Sequence, residues 1–205
     1  FDFFKTGTYD RNRDFILTTS PSMDILISSN LERLIYKIAG NDADKCADLM
    51  KALSTTGVYN ITDDMKARLD DFVGGYSDEA KTAATIKAVY DKEGYIMDTH
   101  TAVAAGVYND YKESSKDTTP TVIASTASAY KFAESVAKAV GLDENKVRVL
   151  AKAGEKVTGF DYVKALSMET GVKVQVGLKD LEQKPVIHNN VCEINEMPKV
   201  VIEAL

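Results

Sequence analysis

The sequence predicts an α/β chain with few parallel strands and many helices. Apolar residues recur at helical spacing over most of the 205 residues, between Ser, Thr or Asp starts and Gly stops. The apolar run at residues 121–124 is continuous rather than alternating, as in a strand covered on both faces of a parallel sheet. No internal repeat, low-complexity tract or long linker interrupts the pattern.

Residues 15–17 are a short apolar run closed by TTSPS, a strand and turn. Ser29 opens S-N-L-E, a capping box with Glu32, and Leu31, Leu34, Ile35 and Ile38 follow on one helical face until Gly40. Cys46, Leu49, Met50 and Leu53 define the next helix, which ends before Gly57. VYNI at 58–61 is too short to assign. Thr62 caps a helix with Met65, Leu69 and Phe72 inward, closed by Gly74 and Gly75. Ser77 starts another, with Ala83, Ile86 and Tyr90 inward, ending near Gly94. From Asp98 and Thr99 a helix carries His100, Val103, Ala104, Val107 and Tyr111 as one stripe. SSKDTTP is a loop before the 121–124 strand, and the helix after it buries Phe132, Val136 and Val140 up to Gly141. Asp143 can cap a helix through Leu150, and a further helix runs from Thr158 to Gly171. Residues 172–176 alternate like an edge strand at a length that also suits a loop, and 197–205 form a last short helix. A composition change near Gly141 divides the chain into 1–140 and a small helical appendage, 141–205.

The net charge is -6 with both signs interspersed, which argues against nucleic acid as a partner. No run of eighteen apolar residues and no secretory leader is visible, so neither a membrane span nor export is expected. Cys46 and Cys192 are far apart and fit no metal spacing, and read as reduced thiols in a cytoplasmic protein. The chain opens inside an aromatic cluster, FDFF, and reads as a piece of a longer polypeptide.

The chemistry concentrates where the 121–124 run meets Ser125, Thr126 and Ser128. In open parallel sheets ligands sit beyond the carboxyl ends of the strands, and hydroxyls there face the crevice. Ser128 is accounted for as an ordinary N-cap of the next helix. Thr126, two positions earlier, is not.

STASAYKF at 125–132 resembles the STASPYKF of threonine synthases. TTSPSMDILISSNLERLIY at 18–36 is similar to that family's SPSMDI…SSNLERL segment, and DTHTAVA at 98–104 resembles its DPHTAVA. The three motifs occur in the family's order, and the similarity covers essentially the whole chain. Ala129 and Thr99 stand where the family has prolines, which loosens two helix entries without touching the hydroxyls.

The resemblance implies the tryptophan-synthase-β-like, fold-type-II class of pyridoxal phosphate (PLP) enzymes, and a lyase that turns O-phospho-L-homoserine and water into L-threonine and phosphate in threonine biosynthesis. On it, 1–140 is the C-terminal part of the PLP-binding α/β region with inserted helices, and 141–205 a C-terminal subdomain. Thr126 matches the hydroxyl residue that meets the pyridine nitrogen of PLP, with Ser125 beside it in the cofactor-binding set. A neutral hydroxyl there, unlike a carboxylate, does not hold the pyridine protonated. Asp98, His100 and Ser128 match positions along the wall of the site, and the Ser20–Pro21–Ser22 turn supports it.

The family's Schiff-base lysine, in an aromatic-Lys-Asp motif, and its glycine–asparagine phosphate cup are expected outside this chain, so no catalytic residue is assigned within it. Lys179-Asp180 lies in the wrong context, and Gly74-Gly75 reads as a helix stop. The expected partner is the N-terminal half of the same polypeptide, without which the chain is inactive. Two alternatives remain. One is an autonomous helical interaction module descended from a synthase, which would have a closed core and a polar surface. The other is another fold-type-II enzyme, such as a threonine dehydratase or cysteine synthase.

Overall fold

A computed structural model describes residues 1–205. Two compact units divide at residue 173/174, Phe1–Lys173 and Val174–Leu205. Gly141 ends a helix inside the first unit, where the composition change falls.

The first unit opens with α1 (Asp2–Thr6) and β1 (Thr8–Asp10). Gly7 links them at φ 78, a left-handed turn that favours glycine. Helices α2 (Leu31–Ile38) and α3 (Ala43–Thr55) follow, then β2 (Val58–Asn60) and α4 (Asp63–Ala67). Strand β2 settles the VYNI stretch. It pairs antiparallel with β1, Tyr9 opposite Tyr59, and the two rings stack at 5.4 Å. Phe3, Ile35, Ile38, Cys46, Leu53, Tyr59, Met65 and Leu69 form one buried cluster beneath this ribbon.

The rest of the unit is helical: α5 (Glu79–Glu93), α6 (Thr99–Ser115), α7 (Ala133–Ala139), α8 (Glu144–Val147) and α9 (Gly159–Thr170). Helix α5 packs on α6 and α7, and α7 packs on α9. Thr62 and Asp143 cap their helices through the side chain as expected, Asp98 and Thr158 do so at the two helix starts read there, and Thr158 forms a reciprocal box with Asp161. The Val174–Leu205 unit holds α10 (Met197–Glu203) and short 3-10 turns, with no buried residue in any of its elements. Residues 172–176 form no strand.

Several local expectations are corrected. Ser29 does not cap α2: Asn30 holds that position without a side-chain bond to a helix amide, and its Oδ1 accepts from Arg33 Nη2 instead. Helix α4 stops at Ala67, and Phe72 stays partly exposed, stacked on Phe4. The buried face of α6 is Thr99, Thr101, Ala102, Ala105 and Gly106, not the bulkier stripe. Small residues win that face because α5 approaches closely; a Cβ on Gly106 would lie 3.2 Å from Thr85 Oγ1.

The largest correction concerns the two expected strands at 15–17 and 121–124. Neither joins a ladder, and the only sheet is β1–β2. Val122 is 94% exposed and Leu17 77%. A continuous apolar run reads as a covered strand, yet the chain supplies no strand to pair with it and no layer to cover it.

Candidate functional site

Three loop ends meet around the N-terminus of α6. Asp98, 1% exposed, is its N-cap. Its Oδ1 accepts from the His100 amide at 2.9 Å and the Thr101 amide at 3.2 Å, which satisfies two of the helix's orphan donors. The Thr101 hydroxyl bonds Asp98 Oδ2 and lies 3.1 Å from Ser125 Oγ. Tyr95 Oη stands 3.5 Å from the same serine oxygen. The Asp98 side chain is therefore tied through Thr101 to the tip of the 121–124 run.

The second connection is to the turn after residue 17. Thr99 Oγ1 donates to the Thr19 carbonyl at 2.8 Å. The turn is braced from within: the Thr18 amide and hydroxyl each donate to the Asp24 carboxylate at 2.7 Å. The Thr19 amide donates to Glu79 Oε1 at the start of α5, and the Ser20 amide to Thr18 Oγ1. Ser20 is buried, and its hydroxyl has no partner. Pro21–Met23 then closes as a 3-10 turn with proline in its first turn.

His100 makes the third connection. Its ring lies 4.7 Å from that of Phe132, and Nδ1 is 3.5 Å from both Thr99 Oγ1 and Asp98 Oδ1. Its Nε2 is buried and unpartnered. Buried polar atoms are nearly always paired, so an orphaned imidazole nitrogen and an orphaned serine hydroxyl at one junction are unusual.

Thr126 is exposed, as is Ser125, and no side chain or amide of the protein bonds the Thr126 hydroxyl. Ser128 accepts from the Tyr130 amide at 3.3 Å and caps the Ala129–Phe132 3-10 turn, which leads into α7. The structure thus places Asp98, Thr101 and Ser125 in one hydrogen-bonded cluster, with Thr126 open beside it and Ser128 engaged as a cap. Thr101 is the residue that the sequence reading passed over. Its signal was its spacing, three residues after a helix-capping aspartate, where an N3 side chain turns back toward the cap.

Residues 101–168 match the family model described as threonine synthase, C-terminal. Threonine synthase-like 1 of Homo sapiens is 39% identical over 145 residues, 70% of this chain and 19% of that protein. The threonine synthase of Methylobacillus glycogenes is 35% identical over 145 residues, 68% of this chain and 30% of its own. Among solved structures, PLP-bound threonine synthase from Brucella melitensis is 37% identical with a TM-score of 0.63, over 69% of this chain and 30% of that one. Yeast threonine synthase is 26% identical with a TM-score of 0.75, over 98% of this chain and 39% of that one. The chain thus spans between 19% and 39% of the length of these relatives. It shares their helix-rich α/β fold, and the three motifs met in the sequence are the segments the fold gathers. The chain belongs to the threonine synthase family.

Proposed function

We propose that this chain supplies the C-terminal part of a threonine synthase that converts O-phospho-L-homoserine and water to L-threonine and phosphate with PLP. The observation that carries the proposal is the convergence of the 18–24 turn, the Asp98–Thr101 helix start and the Ser125–Ser128 loop, with two buried polar atoms left unpaired where they meet.

The residues present fit one end of the cofactor. Ser125 and Thr126 offer exposed hydroxyls for the ring-nitrogen end, and Asp98, His100 and Ser20 lie behind them as a polar wall. PLP, when bound, supplies the electron sink for the chemistry at the substrate's carbons. This chain's own part is to orient the ring edge, to present a neutral hydroxyl where other enzymes present a carboxylate, and to exclude water from the wall side. The lysine that holds the cofactor and the cup for its phosphate belong to a separate segment, in our reading the N-terminal half of the same polypeptide. The enzyme is of fold type II, and the chain alone is inactive.

Unpaired apolar runs support the dependence on that segment. Phe15, Ile16, Leu17 and Val122 are all exposed, whereas an autonomous interaction module would keep such residues under cover. A cytoplasmic setting suits the two free cysteines, and no helix is long and apolar enough to cross a membrane.

The test is cofactor capture. PLP added to the chain alone should give no absorption band that borohydride fixes to a unique lysine. The same addition to the chain joined to a threonine synthase N-terminal segment should give one, with phosphate released from O-phosphohomoserine. A unique lysine in residues 1–205 that is modified and supports turnover would refute the assignment.

A further inference from the structure

The hydroxyls behind the Ser125–Thr126 tip are ordered by a single group. The Thr101 side chain carries one proton and has two neighbours, Asp98 Oδ2 and, 3.1 Å away, Ser125 Oγ. An ionised carboxylate accepts only, so the Thr101 proton goes to Asp98. The Thr101–Ser125 bond is then completed by the serine's own proton. Ser125 is left with lone pairs facing outward, toward the Tyr95 hydroxyl at 3.5 Å and the space in front of the loop. Thr126 has no such commitment, and its proton is free.

We infer that Thr101 is a positioning residue that sets the hydrogen-bond polarity of this loop, making Ser125 an acceptor and leaving Thr126 as the free donor of the pair. A ligand matched to the tip offers an acceptor to Thr126 and a donor, or a bridging water, to Ser125. On the PLP reading, on which this inference rests, an unprotonated pyridine nitrogen is that acceptor. Thr101 touches no ligand and acts through Ser125. Its own anchor is Asp98, whose Oδ1 is already held by two helix amides and cannot swing away.

The test is a double-mutant cycle read by cofactor binding and by spectrum. PLP affinity and the cofactor absorption maximum are measured on the chain joined to a threonine synthase N-terminal segment, as wild type and with Thr101→Val, Thr101→Ser, Ser125→Ala and the Thr101→Val/Ser125→Ala pair. Thr101→Val and Ser125→Ala should each weaken PLP binding about tenfold and shift the absorption, the size of one lost hydrogen bond with a polar group left unpaired. The pair should be no weaker than Ser125→Ala alone, because Thr101 works only through the serine. Thr101→Ser should restore affinity and spectrum. Thr101→Val with unchanged affinity and spectrum, or losses that multiply in the pair, would overturn the inference. Failure of the joined wild-type protein to bind PLP would instead sink the functional reading. Hydroxyl-proton exchange by NMR then decides the polarity alone: a Ser125 proton protected in wild type and labile in Thr101→Val upholds it, and one labile in wild type ends it.

Discussion

The region of α1–α4 and the region around the start of α6 are built from the same materials and finished differently. In the first, aromatic and aliphatic side chains close over one another, and the β1–β2 ribbon pairs its own backbone. In the second, hydrogen bonds are many, yet Ser20 Oγ and His100 Nε2 go unanswered and Val122 and Ala124 face solvent. The contrast separates what the chain can satisfy by itself from what it holds ready. The two buried polar atoms without a partner both fall at this one junction, and the three family motifs converge on it.

Cavity formation is the strongest way to break this comparison. Ile35 is fully buried, and Ile35→Ala should cost about 2–5 kcal/mol in denaturant unfolding. Val122→Ala should change the stability of the chain by less than about 0.5 kcal/mol. Comparable losses at the two sites would show that the 121–124 run is covered within the chain after all. A second substitution probes the seam beside α6. An added Cβ on Gly75 would come within 2.5 Å of Val107 Cγ1 on α6, a stiff branched side chain. Gly75→Ala should destabilise by about 1–3 kcal/mol, and Val107→Ala in the same molecule should recover part of that. Strictly additive losses in thermal melts would place the strain elsewhere.

The smallest effect is electrostatic and lies away from the junction. Burial alone would raise the Asp161 carboxyl, but bonds from the Thr158 amide and hydroxyl outweigh it and hold the group below the usual carboxylate range. A depressed folded value means stability that is present above the unfolded carboxylate range and is lost as pH falls through the folded value. Wild type should therefore lose stability on acidification through that window, while Asp161→Asn should show a flatter profile. Urea midpoints measured across the acid range check it, and parallel profiles would remove Asp161 from the account.

Much of this was legible in the sequence. Capping residues at 62, 98, 143 and 158 announced their helices, because an N-cap is a local bond between neighbours in the chain. The site motifs were legible for a different reason: their resemblance to one family named the residues that converge. The strands were not readable, since a strand exists only when another backbone pairs with it, and 121–124 has none here. The inward face of α6 was misread because bulk was taken for burial, whereas close helix packing selects Ala102, Ala105 and Gly106. Ser29 looked like a cap by pattern, and one residue of register put Asn30 there instead.

One phenol carries a consequence across the molecule. Tyr9 stacks on Tyr59, while its hydroxyl donates to the Leu26 carbonyl at 3.0 Å and accepts from the Ser28 amide at 2.8 Å. The downstream end of the loop that contains the Ser20–Pro21–Ser22 turn is thus moored to a half-buried ring packed against the core cluster. Slackening that mooring, as a phenylalanine would, reaches the junction at the start of α6 through the backbone of this loop and leaves every polar group there chemically intact.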